Sequence, residues 1–61
     1  MALTEEQREY IREANALGPD ENGHWPGPLE IMWAGQFEGV DFSSIEEVEA
    51  FLKELRNPRG G

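Results

Sequence analysis

Cysteine is absent from the chain. No disulfide and no thiolate metal site can form, which excludes both a disulfide scaffold and a zinc finger. Basic residues are scarce, five Lys+Arg against 13 Asp+Glu, for a formal net charge of −8. Direct nucleic-acid binding is therefore not expected, because that affinity comes mainly from Lys and Arg displacing counterions from phosphates. Long apolar runs are also missing. No stretch approaches the ~18 apolar residues of a membrane span, and Met1 to Leu17 does not read as a signal peptide. With 61 residues there is room for one domain at most, since cores become hard to build below ~70 residues. These exclusions leave a small acidic domain, expected in the cytoplasm, with no membrane partner.

Two segments have the signature of amphipathic helices. Thr4-Glu5-Glu6-Gln7 is a capping-box pattern. Leu3, Tyr10, Ile11, Ala14 and Leu17 recur behind it at helical spacing. Gly18 and Pro19 stop the helix, predicted over 4–17. Ser44-Ile45-Glu46-Glu47 repeats the capping pattern, with Ile45, Val48, Phe51, Leu52 and Leu55 as the apolar stripe. Acidic residues crowd its first turns and Lys53 and Arg56 its last, as the helix dipole favours. Asn57-Pro58 ends it. Between the two lies a connector, 18–28, punctuated by Gly18, Pro19, Gly23, Pro26, Gly27 and Pro28, too dense in breakers for a regular element.

The middle is ambiguous. Leu29, Ile31 and Trp33 alternate as on one face of a strand, and residues 36–42 are aromatic and β-branched enough to pair with it across a turn at Ala34-Gly35. Gly39 then reads as a bulge. The expected fold is α+β: helix–hairpin–helix (αββα), with both helices on one face of a two-stranded antiparallel sheet. The alternative is an all-α three-helix mini-domain, in which Pro28 opens a short helix and Gly35 closes it. The domain is expected over residues 1–57, followed by a flexible tail, 58–61. The expected core is Leu3, Tyr10, Ile11, Leu17, Leu29, Ile31, Trp33, Phe37, Phe42, Ile45, Val48, Phe51, Leu52 and Leu55. At this length such a core leaves a stability of about 3–5 kcal/mol.

Catalytic chemistry finds little support. Nucleophilic hydrolysis needs Ser or Cys beside an oriented base. The only histidine is His24, and Ser43 and Ser44 stand where a helix cap is needed. No catalytic residue and no cofactor is expected. Asp20, Asn22 and His24 have the opening spacing of a calcium loop, but Trp25 takes the place of its glycine and Ile31 that of its final Glu. An Asx-rich turn explains the segment better, and no metal ligand is expected.

Charge distribution stands out most. From Glu13 through Leu52 there is no Lys or Arg, while Glu30, Glu38, Asp41, Glu46 and Glu49 all fall in that span. The leading expectation is a non-enzymatic acidic interaction module, a binder or inhibitor that is monomeric when free and docks on a protein with a basic surface. Its expected partner-binding residues are those five carboxylates with Trp25 and Met32 as apolar anchors. In size and charge the chain resembles phage-type DNA mimics, which implies carboxylates on one face at phosphate spacing. A structural scaffold without a partner, natural or designed, is a further alternative, since clean caps and amphipathic helices are also design devices. Finally, Leu55-Arg56-Asn57-Pro58-Arg59-Gly60-Gly61 resembles the end of ubiquitin-like modifiers, Leu-Arg-x-Arg-Gly-Gly, with an insertion that carries a proline. That resemblance implies conjugation through Gly61.

Overall fold

A computed structural model describes residues 3–57. It contains three helices, α1 (Glu5–Ala16), α2 (Pro28–Phe37) and α3 (Ile45–Arg56), and no strand among the described residues. The αββα expectation is thereby overturned, and the protein is an all-α mini-domain. The tail at 58–61, with its diglycine, lies outside the described residues.

The outer helices begin as their sequences direct. Gln7 N–H donates to Thr4 Oγ1 at 3.1 Å, and Thr4 N–H donates to Gln7 Oε1 at 2.8 Å. This reciprocal box satisfies two of the helix's orphan amides. At α3, Ser44 Oγ accepts from Glu47 N–H at 3.4 Å. Glu46 and Glu47 occupy its first turn, and Lys53 and Arg56 its last.

The middle element is where strand and helix signals competed, and its caps decide the outcome. Pro28 is the first residue of α2, where its missing N–H costs nothing and its fixed φ suits the helix. Glu30 Oε1 accepts from Gly27 N–H at 2.9 Å, placing a carboxylate at the positive end of the helix. The helix does not stop at Gly35 but runs to Phe37. Gly39, with φ of +89°, closes it: Val40 N–H donates to Gly35 O at 2.6 Å and Gly39 N–H to Gln36 O at 3.2 Å. That pair of bonds is a Schellman motif, which requires the left-handed residue that glycine supplies. The residue read as a bulge is thus a helix stop, and the expected second strand, 36–42, is instead the last two residues of α2, a turn and an irregular segment.

Gly35 itself is a close-packing position. A Cβ there would overlap the Phe42 ring and lie 3.3 Å from the Val40 carbonyl. Its bareness lets the 40–42 segment fold back against α2, so that Val40 and Phe42 enter the core. The core consists of Leu3, Ile11, Ile31, Val40, Phe42, Val48 and Leu52. Tyr10, Ala14, Met32, Phe51 and Leu55 pack against it. Burial pushes the Tyr10 hydroxyl pKa up, and the nearby Glu38 charge adds to the effect. Five residues expected in the core lie outside it: Leu17, Leu29, Trp33, Phe37 and, at its margin, Ile45.

Side chains on other elements tie the bundle. The Gln7 side-chain amide donates to the Asp41 carbonyl. Tyr10 meets Phe42 with ring centroids 6.1 Å apart. Arg56 donates to Asn15 Oδ1 and to the Pro26 carbonyl, both at 2.7 Å, holding the connector against α1 and α3. Within the connector, Asp20 Oδ1 accepts from Asn22 N–H and His24 N–H, each at 2.9 Å. The bond from His24 N–H, reinforced by that from Asn22, holds the Asp20 carboxyl below its ordinary pKa.

Candidate protein-docking face

α2 differs from its neighbours in having apolar residues all round. Successive residues on a helix are turned by about 100°. Leu29 and Trp33 are each two positions from Ile31, hence about 200° away from it and on the opposite side. Ile31 and Gly35 are buried, while Leu29, Trp33 and Phe37 are 66, 68 and 76% exposed. These three stand at i, i+4 and i+8, the spacing of a ridge along a helix. Trp33 and Phe37 already pair edge to face, with centroids 5.1 Å apart and planes at 87°. A helix that is apolar on every side is ordinarily surrounded by protein. Here, among the described residues, none covers the side that carries Leu29, Trp33 and Phe37.

Glu30 borders the ridge, whereas Glu38, seven positions from Ile31, returns to the side of the helix that faces Tyr10. Glu30 lies in the first turn of α2, and Glu38 caps its end, with Asp41 three residues beyond. Beside the ridge, α1 and α2 diverge around a cavity of about 590 Å³. Tyr10, Ala14, Leu17, Ile31 and Ala34 are among its apolar lining, and Asp20 and Glu30 border it. Leu17, 86% exposed, adds apolar surface at its edge.

The expected site residues do not form one patch. Trp25 is 45% exposed, and the Arg56 guanidinium lies over its ring at 5.2 Å from the centroid. It is neither a core lid nor a free aromatic. Met32 is half-buried and packs against the core, away from the exposed ridge. Glu46 and Glu49 lie on α3 around a depression shared with Pro28, Lys53 and Arg56. Pro28 is about 160° round α2 from Glu30, so these carboxylates and Glu30 flank opposite sides of the helix. The five carboxylates are therefore not arrayed on a single face, as a phosphate-mimicking surface would need. Sequence reasoning missed Leu29, Trp33 and Phe37 because the strand reading sent all three to the core. Their spacing, together with Pro28 before and Gly39 after, is the signal that identifies them.

Among the described residues, no group of three or more His, Cys, Asp or Glu could hold a metal ion. None of their helices is long and apolar enough to cross a membrane. Compared with protein families, curated proteins and solved structures, the chain matches none.

Proposed function

We propose that this chain is a non-enzymatic interaction module, a binder or inhibitor, that docks on a basic protein surface through the outer face of α2. The observation that carries the reading is the exposed ridge of Leu29, Trp33 and Phe37 on the side of α2 opposite its buried residues. Large aromatic anchors supply most of the energy at protein interfaces. The acidic surroundings supply the choice of partner, through steering and through the cost of bringing like charges together. Trp25, braced by Arg56 beside Asn15 and Leu55, lies apart from this ridge, and Met32 serves the core. Net charge of −8 supports a monomer when free, because identical copies repel. The absence of cysteine suits the reducing cytoplasm as the place of action.

Affinity capture from the source cell tests this reading. The wild-type chain should retain a basic protein that elutes as salt is raised, and the Trp33→Ala/Phe37→Ala variant should fail to retain it. Both substitutions lie on exposed positions, so the variant stays folded. Equal retention by the variant, or retention indifferent to salt, would overturn the proposal.

A further inference from the structure

The geometry points to the kind of partner: a basic amphipathic helix laid along the α2 ridge, rather than a second copy of this chain. This inference rests on the docking reading above and adds the partner's secondary structure. A row of three side chains at i, i+4 and i+8 is narrow and about 12 Å long, at 1.5 Å rise per residue. That form matches the short apolar stripe of a single helix, the pattern seen when an amphipathic helix docks by its i, i+3/i+4 and i+7 anchors. The exposed area of Leu29, Trp33 and Phe37 is on the order of 400 Å². A stable interface between folded proteins takes about 800 Å² from each partner. The ridge alone therefore falls short of what a dimer needs, yet it suffices for a peptide-sized segment.

Charge argues the same way. Glu30 borders the ridge, three positions and about 60° round the helix from Trp33. Pairing α2 with itself would bring together two chains that each carry a net charge of −8. Like charges brought together at an interface disfavour it. A partner helix with Lys or Arg beside its apolar stripe meets Glu30 and the acidic surface around it instead.

Three synthetic peptides of about eighteen residues, long enough to hold a helix, test the inference. One carries a Leu stripe at helical spacing flanked by Lys at i and i+7. The second has the same composition in scrambled order, and the third has Glu in place of Lys. Binding is followed by NMR shifts of Leu29, Trp33 and Phe37 and by the circular dichroism of the peptide. The patterned Lys peptide should shift those three residues and gain helix. Its binding should weaken at least about tenfold in the Trp33→Ala/Phe37→Ala variant and fall as salt rises. Equal binding by the scrambled peptide at the same residues would overturn the helix while leaving the basic-partner reading intact. If the Glu peptide bound as well as the Lys peptide, the basic partner itself would be refuted. No binding by any of the three would also reject the inference, and the capture experiment then decides the docking reading independently. Sedimentation of the free chain completes the test: a dimer dispersed by Trp33→Glu would make the second copy the occupant.

Discussion

α1 and α3 resolve their apolar residues into one face, whereas α2, between them in sequence, does not. In α1, Ile11 is buried while Glu5, Glu6, Glu9, Arg12 and Glu13 meet water. In α3, Val48 and Leu52 are buried while Glu46, Glu49, Lys53 and Glu54 are exposed. Each of these helices has one side for protein and one for solvent, so its pattern identifies it and orients it. α2 has Ile31 and Gly35 inside and Leu29, Trp33 and Phe37 outside, with no polar side for water to prefer. Amphipathic helices in a small domain report how the domain folds. A helix apolar on its outer face goes beyond what the fold needs, and the proposed docking rests on that excess.

Substitutions on the two sides of α2 should break this contrast or sharpen it. The largest effect is expected at Ile31, which is 2% exposed. Ile31→Ala should cost about 2–5 kcal/mol, comparable to the whole stability of so short a chain. Leu29→Ala, two residues away, should cost less than about 0.5 kcal/mol. Urea titration of the two variants measures the difference, and equal losses would mean that α2 is not oriented as described.

Next comes Gly35→Ala. The added methyl overlaps the Phe42 ring, so the 40–42 segment must move, at about 1–3 kcal/mol. Ala is the better helix former by up to about 1 kcal/mol, and a gain in melting temperature would therefore show that the close contact is absent.

Acid should act on the connector. Asp20 is held below the ordinary aspartate value of 3.8, so its carboxylate is favoured in the folded loop. That contribution is complete above the unfolded value and is lost as pH falls through the lower, folded one. Between those values wild type should lose stability relative to Asp20→Ala, in melts taken across the acid range. A difference independent of pH would contradict the bonding from the His24 and Asn22 amides. The carboxylate is exposed, so the effect should be modest.

Smallest of all should be the stability change in Trp33→Gln/Phe37→Gln, within about 0.5 kcal/mol for each position. Denaturation midpoints check it. A loss of several kcal/mol would mean that the ridge is part of the core after all.

Legibility in the sequence varied with how local each signal was. The start of α1 was readable because Thr4 and Gln7 satisfy each other's amides within one turn, and Ser44 acts equally locally. Residues 29–42 misled for a physical reason. Alternation of Leu29, Ile31 and Trp33 suits a strand, and the same residues are acceptable in a helix. Gly39 is compatible with a bulge and with a left-handed helix stop. The exposed ridge was hidden by the same ambiguity, since pairing Trp33 with Ile31 on one face assigns it to the core. Trp25 was recognised as notable, but its contact with Arg56 links residues thirty-one positions apart, beyond the reach of any local pattern.

By itself the sequence determined the two amphipathic helices, their caps, the irregular connector and the acidic charge, because each depends on residues within a turn or two of one another. Tertiary structure decided the rest. Which side of α2 is buried depends on where Val40 and Phe42 can go, and that depends on Gly35 leaving room for a ring from beyond the helix. Once α2 is helical, the 100° step between residues parts Ile31 from its neighbours Leu29 and Trp33. The core then closes on one side of α2, and Leu29, Trp33 and Phe37 are left exposed on the other.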